Sequence, residues 1–232
     1  MPLHTHPPAS GGGPWIDPEI WKPTRPSDGL LDPPLRSRSA STGFMVEDGR
    51  LIGFASRPEK YAGEAFSLDS DITHFVEQYP RVPYRDGKTI RHHTFDFYTV
   101  RKPGIRTCVA IKHSSRVEKS GIREVLKLIA AQAGRKVADE IVLMTEADFS
   151  RSARFNAELV HEVRRHPVPE HDDHVRQITA EIVGVVTIAD VVKMSGLAAE
   201  GFRATVRLIA DRYFRLADVD DRMDYHTRIR RC

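Results

Sequence analysis

The stretch from residue 93 to residue 112 reads HTFDFYTVRKPGIRTCVAIK and decides how the middle of the chain folds. Aromatic and β-branched residues on both sides of Pro103-Gly104 predict two antiparallel strands that are joined by a turn. Asp96 lies in the first run and Lys112 ends the second, so the hairpin is expected to bring one carboxylate and one ammonium together. A carboxylate can hold a divalent cation, and a lysine beside it can orient an attacking water. The pair therefore predicts a metal-dependent hydrolytic site of the kind that a nuclease needs.

Composition limits the classes of protein to which the chain can belong. It has 232 residues, 40% of them hydrophobic, which suits one larger domain or a domain of about 130 residues with a small second one. No apolar run approaches the roughly 20 residues of a membrane span, and the first residues do not read as a signal peptide. Cys108 and Cys232 give neither a disulfide framework nor a zinc spacing, which predicts a cytoplasmic setting. A net charge of +3 permits nucleic-acid binding without requiring it.

The first 43 residues are rich in proline and glycine and predict a flexible arm. Trp15 and Trp21 leave two interpretations open. The arm is either a free tail or a segment that docks on the body or on a partner.

The central part of the chain predicts alternating strands and helices. Ser56 suits a helix N-cap, Pro58 the first turn and Glu59 the capping-box position, so a helix is expected up to about Leu68. Further elements are expected as strands at 75–84 (an edge strand), 88–101, 106–112 and 141–144, and as helices at 122–133 and 155–165. This order predicts an α/β fold in which helices flank a mixed sheet.

A second unit is expected after the segment 166–170, which reads HPVPE and breaks the pattern. The predicted domains are therefore the arm at 1–43, a first domain at 44–166 and a second at 167–232. In the second domain, helices are expected at 174–183, 187–194 and 199–212, with Ser195-Gly196 as the turn of a helix-turn-helix. Segments 213–216 and 225–231 predict a hairpin, so this domain resembles a winged helix.

Residues 49–165 resemble the TnsA-like transposon endonucleases, a branch of the PD-(D/E)xK, or restriction-endonuclease-like, superfamily. The family's first motif, ESxxERDF with a following DPD and FxEQP, corresponds to ASRPEKY at 55–61, DSD at 69–71 and FVEQYP at 75–80. The two align without a gap through Gln78. The second motif, YTPDF, corresponds to HTFDF at 93–97, and the third, EVK or QxK, to AIK at 110–112.

The resemblance implies a restriction-endonuclease-like fold and a function on DNA. It implies that Glu59, Asp96 and Lys112 are catalytic and that Glu59 and Asp96 hold Mg²⁺, with Mn²⁺ as an alternative. Double-stranded DNA would be cut at transposon ends, together with a partner transposase. Lys112 would orient the attacking water and offset the developing negative charge.

Three departures from the family pattern leave the function open. Ala55 replaces an acid, Phe95 replaces a proline, and Ala110 replaces a metal ligand. Loss of an oxygen ligand weakens magnesium binding, because this ion demands near-ideal octahedral coordination. The first hypothesis is an active endonuclease, and the second is a weakened nuclease fold that acts as a DNA-binding or transposition-assembly module. The third is a nuclease of the restriction or repair type.

The candidate catalytic residues also have structural interpretations. Glu59 can complete a capping box with Ser56, Asp96 can point to solvent, and Lys112 can be a charge at a strand end. Gln78 is expected to support a neighbouring turn rather than to catalyse.

Basic residues and histidines give weaker indications. DNA-binding candidates on the last predicted helix are Arg203, Arg207 and Arg212, although such charges also form solvated faces. His92 and His93 are adjacent on a strand and face opposite sides, so at most two of the three histidines that include His113 converge. A solvated or DNA-facing role is predicted for them rather than a metal site.

Overall fold

The structure is a computed structural model that describes residues 23–33, 41–47, 49–218 and 220–232. The described residues form a mixed α/β fold with seven α-helices. In chain order the first elements are β1 (Gly43–Glu47), β2 (Arg50–Phe54), α1 (Arg57–Leu68), β3 (Ile72–Glu77), β4 (Arg81–Asp86), β5 (Thr89–Thr94), β6 (Phe97–Arg101) and β7 (Ile105–Ile111). They are followed by α2 (Ser114–Ser120), α3 (Ile122–Gln132), β8 (Glu140–Met144), α4 (Arg151–Arg164), α5 (Pro169–Ile178), β9 (Val185–Thr187), α6 (Ile188–Ser195), α7 (Ala199–Ala210), β10 (Phe214–Leu216) and β11 (Arg228–Arg231).

A four-stranded sheet with the strand order β3-β6-β7-β8 forms the centre of the molecule. The pairs β3/β6 and β6/β7 are antiparallel, whereas β7 and β8 are parallel, so the sheet is mixed as predicted. One face packs on α3 through a buried apolar cluster that includes Phe95, Cys108 and Leu126. The other face packs on α1 through a cluster that includes Phe66 and Phe97. The sheet is thus covered by helices on both faces, as the hydrophobic run of β7 requires.

Two of the predicted strands are each divided into two. The expected strand at 75–84 becomes β3 and β4, because Gln78 adopts a left-handed backbone conformation with φ 48° and ends the first strand. The expected strand at 88–101 becomes β5 and β6, with a bend at Asp96 between them. As a result, β4 and β5 form a separate hairpin that packs on α3.

Other local predictions differ from the structure in extent. α5 begins at Pro169 rather than at residue 174, because a proline is well suited to the first turn of a helix. The β1–β2 hairpin and the short helix α2 were not expected. Residues 23–33 of the predicted arm form backbone hydrogen bonds to the body, for example from Leu51 N–H to the Arg25 carbonyl oxygen at 3.1 Å. Trp15 and Trp21 lie outside the described residues.

Three helices and a three-stranded antiparallel sheet with the order β10-β11-β9 make up the C-terminal part. Gly196 ends α6 in a left-handed conformation and makes the expected tight turn before α7. The core of this C-terminal part also includes residues from outside it. Val160 and Val163 of α4 lie in one buried cluster with Val206 of α7 and Met223, so apolar packing crosses the predicted domain boundary.

None of the helices in the described parts of the chain combines the length and the apolar character that a membrane span requires.

Candidate active site

Glu59 lies in the first turn of α1, where the local sequence fixes its carboxylate. The Ser56 hydroxyl donates to Glu59 Oε1 at 2.8 Å, and the Ala55 backbone N–H donates to Glu59 Oε2 at 2.7 Å. In return, the Glu59 backbone N–H donates to the Ser56 hydroxyl oxygen at 3.3 Å. Ser56 thus caps α1, but the Glu59 carboxylate accepts from the Ala55 N–H rather than from the Ser56 N–H, so the predicted capping box is not completed. These hydrogen bonds leave the Glu59 carboxylate almost buried and firmly oriented, and a residue of an active site also needs a fixed orientation.

Asp96 lies at the bend between β5 and β6. Its neighbours Phe95 and Phe97 contribute to the clusters on opposite faces of the sheet, whereas residues two apart in a regular strand share a face. The chain is therefore kinked at Asp96. The Ile111 backbone N–H of β7 donates to Asp96 Oδ2 at 2.6 Å, which holds the carboxylate against the neighbouring strand.

The pKa of Asp96 is raised to about 7, first by burial and then by the negative charge of Glu59. The Ile111 N–H, the positive charge of Lys112 and the Gln78 amide all lower this pKa and offset part of the effect. Gln78 hydrogen-bonds to Glu59 and to the Asp96 backbone, so it joins the two segments that carry the carboxylates. Lys112 follows Ile111, whose N–H donates to Asp96. The structure thus brings together the three residues predicted as catalytic.

Lys112 directly follows β7, and its backbone N–H donates to the Met144 carbonyl oxygen of β8 at 3.0 Å. Its side chain is half-buried, and its positive charge lowers the pKa of both Asp96 and His93. Burial is the larger cause for His93, whose pKa is lowered to about 4. His93 is therefore neutral at physiological pH.

Gln78 is closer to the site than the sequence indicated. Its backbone N–H donates to the Asp96 carbonyl oxygen at 2.8 Å, and its side-chain amide donates to Glu59 Oε2 at 3.4 Å. A non-glycine residue with positive φ is strained by roughly 1–2 kcal/mol, and such strain concentrates at functional sites. The FVEQYP motif contained this residue, but no local pattern in the sequence indicates its backbone conformation.

A buried ion pair between Arg50 and Glu77 supports the strained backbone of Gln78. Arg50 Nη1 donates to Glu77 Oε2 at 2.6 Å, and Arg50 Nη2 donates to the Phe75 carbonyl oxygen at 2.9 Å. The Ser27 hydroxyl donates to the other Glu77 oxygen at 2.6 Å, and the Leu30 N–H donates to the Gln78 carbonyl oxygen at 3.3 Å. The described part of the predicted arm thus helps to fix the segment that carries Gln78.

The site opens into a groove of about 530 Å³. Its lining includes Glu59 and Lys112 together with the basic side chains of Arg57 and Arg116. A groove with this charge suits a phosphate-containing substrate.

The donor set can be compared with what a divalent cation requires. Among the residues that the structure describes, no group of three or more His, Cys, Asp and Glu side chains is arranged to hold a metal ion. Mg²⁺ at phosphate sites, however, is bound through one or two carboxylates that share the ion with the substrate. Burial and the negative charge of Glu59 raise the pKa of Asp96, and a cation beside Asp96 would favour its ionised form. Glu59 and Asp96 are two carboxylates, the type of oxygen donor that this shared mode uses.

Ala110 is completely buried in the apolar cluster between the sheet and α3. It supplies no oxygen to the site. The amide of Gln78 reaches Glu59 and Asp96 from another segment of the chain.

Of the other two histidines, His113 lines the same groove as Glu59, whereas His92 does not. His113 caps α2, and its Nε2 lies 3.5 Å from Glu146 Oε1. His92 is exposed on β5.

The structure does not support the DNA-binding prediction for Arg207. This side chain is only 3% exposed, and its Nη2 and Nε bind the Asp172 carboxylate at 2.7–3.0 Å. The Arg207 guanidinium thus joins α7 to α5 and is not available to bind a phosphate. Sequence spacing on a helix does not reveal a carboxylate that reaches in from another helix. Arg203 and Arg212 are exposed, and the former pairs with Glu200 at 3.6 Å.

No protein-family model matches the chain, and no curated protein matches it significantly.

Proposed function

We propose that the chain is a metal-dependent DNA endonuclease with a restriction-endonuclease-like fold. Within this class, its motifs point to the TnsA-like transposon endonucleases, which would cut at transposon ends together with a transposase. The observation that carries the proposal is that Gln78 joins Glu59 to Asp96 through hydrogen bonds, beside a groove that Glu59 and Lys112 line. In support, the pKa of Asp96 is raised to about 7, and strongly shifted pKa values cluster at functional sites.

In the proposed reaction the residues of the chain orient and neutralise. Glu59 and Asp96 would hold Mg²⁺, which supplies Lewis acidity toward a phosphate oxygen. Lys112 would orient the attacking water and stabilise the negative charge that develops on the phosphate. Gln78 would hold the two carboxylates in place through its amide and backbone. We further propose that α5–α7 and the three-stranded sheet act as a winged-helix-like unit that binds DNA.

The burial of Ala110 favours a second candidate function. A site that lacks one oxygen ligand binds magnesium weakly, and the fold would then act as a DNA-binding or assembly module without hydrolysis. The two candidate functions have the same fold and both involve DNA binding. They differ only in whether the DNA is cleaved.

Plasmid nicking in the presence of Mg²⁺ or Mn²⁺ separates the candidates. We expect the wild-type protein to nick and Asp96→Asn to lose activity by roughly 10²-fold or more. The control is Glu124→Gln, which removes an exposed acid on α3 and should leave nicking unchanged. Wild-type protein that binds DNA but nicks no more than Asp96→Asn would support the assembly module and exclude the endonuclease.

A further inference from the structure

A second groove lies beside the edge strand β10, away from the carboxylates. It has a volume of about 750 Å³, and its floor includes Leu68 of α1, Val160 of α4 and Met223. Three arginines line it, namely Arg212, Arg215 and Arg230, whereas Asp218 is its one acidic lining residue. The groove is thus apolar at its floor and positively charged at its wall.

The three arginines of the groove are exposed. Within the described parts of the chain, none of the three side chains forms an ion pair or a hydrogen bond. Asp211, which directly precedes Arg212 in the chain, already forms ion pairs with Arg164 at 3.5 Å and with Arg176 at 3.6 Å. The positive charge at the wall is therefore available to an external partner.

The register of β10 and β11 adds a direct repulsion between two of the arginines. Arg215 of β10 lies opposite Arg230 of β11, and residues opposite each other in an antiparallel pair point to the same face. Phe214 and Ile229, which neighbour them in sequence, point inward and are buried in the C-terminal core. Like charges that are directly opposite destabilise a sheet. An anion that binds both guanidiniums would relieve this cost.

We propose that this groove binds the phosphate backbone of duplex DNA. Three guanidiniums on two strands and a turn can contact successive phosphates. A small anion has no such series of phosphates. The apolar floor leaves room for the sugar edge between them. The choice of DNA among polyanions rests on the proposed function, whereas the assignment of the groove rests on these charges alone. The surface differs from the helix face that the sequence favoured and retains only Arg212 from that prediction.

The test is duplex binding by fluorescence anisotropy in a chelator, over a series of KCl concentrations. Each arginine that contacts a phosphate contributes about 1 to the slope of log Kd against log salt. We therefore expect Arg230→Gln to lower the slope by about 1 and the triple Gln variant of the groove to lower it by about 3. The variants should melt no lower than the wild-type protein, because they remove a repulsion.

Arg85→Gln is the matched control, since Arg85 is an exposed arginine on the β4–β5 hairpin. An equal loss of slope in this control, or a wild-type slope in the triple variant, would overturn the assignment. Equal binding of heparin, duplex RNA or anionic vesicles would overturn the choice of DNA. Asp96→Asn should bind with the wild-type slope in the chelator. A wild-type protein that fails to nick while the triple variant loses binding would therefore refute the nuclease and retain the groove.

Discussion

Gln78 and Asp96 are joined through the backbone as well as through their side chains. The Gln78 N–H donates to the Asp96 carbonyl oxygen at 2.8 Å, and the Gln78 amide lowers the pKa of the Asp96 carboxyl group. This double link ties the end of β3 to the bend between β5 and β6. The left-handed backbone of Gln78 is a consequence, because the segment must turn sharply to place both groups.

Gln78→Ala and Gln78→Gly separate strain from function. Both variants lose the amide, so both should nick DNA less than the wild-type protein. Only glycine adopts a positive φ without strain, so we expect Gln78→Gly to be more stable than Gln78→Ala by about 1 kcal/mol. Thermal unfolding and nicking, measured on the same preparations, give the two rankings. Equal wild-type activity in both variants would show that the amide has no part in the site.

Glu59→Gln and Ser56→Ala separate catalysis from helix capping. Ser56→Ala removes the hydroxyl that caps α1 and should cost about 1 kcal/mol of stability with most of the nicking activity retained. Glu59→Gln keeps an oxygen near Ser56 and Ala55 but removes the charge, so we expect an activity loss of roughly 10²-fold or more. Chemical denaturation and nicking measure the two effects. If Ser56→Ala were the more damaging to activity, the capping interpretation alone would suffice.

The sequence predicted the elements around the site because their signals are local. The cap at Ser56, the Pro103-Gly104 turn and the run that ends at Lys112 each involve a few neighbouring residues. The motif order then placed Glu59 and Lys112 beside Asp96. No local signal, however, distinguished one long strand from two strands with a bend at Asp96.

Features that depend on distant residues were missed for the same reason. The burial of Arg207 follows from Asp172, which lies 35 positions earlier in the chain. The support of Gln78 depends on Arg50 and Ser27, which no pattern connects to it. A single sequence gives the type of each side chain but not the partner that reaches it.

Asp96 makes the stability of the protein depend on pH. Its pKa of about 7 lies above the ordinary value of 3.8, so the folded protein binds a proton more tightly than the unfolded chain. The resulting stabilisation is present at low pH and is lost as the pH rises toward and through 7. Asp96→Asn mimics the protonated form, so its stability advantage over the wild-type protein should grow between pH 5 and pH 8 by an amount on the order of 1–3 kcal/mol.

Unfolding is measured in a chelator, with both proteins at each pH. The comparison removes the opposite effect of His93, whose lowered pKa of about 4 makes stability rise over the acidic range in both proteins. A constant difference between the two proteins from pH 5 to pH 8 would show that the carboxyl group of Asp96 has an ordinary pKa.

Ala110→Glu tests whether residue 110 adjoins the metal position. The new carboxylate enters an apolar cluster, so we expect the variant to melt below the wild-type protein in a chelator. Residue 110 packs on the α3 face of the sheet, so the new carboxylate adds a ligand only if the metal position adjoins this face near Lys112. Mn²⁺ should then raise the melting temperature of the variant more than that of the wild-type protein. Cys108→Glu, equally buried but farther from Lys112, is the control and should gain no metal-dependent increment.

The last prediction concerns the boundary between the two predicted domains. Met223 lies in the cluster with Val160 and Val163, and its backbone N–H donates to Asn156 Oδ1 at 2.8 Å. Met223→Ala should therefore cost about 2–5 kcal/mol, whereas Met194→Ala, at a 46% exposed position on α6, should cost little. Deletion of everything after Pro169 should lower the melting temperature of the remaining core, because it uncovers the two valines. A truncated protein that melts like the full chain would show that the core is independent and that the cluster contributes nothing to it.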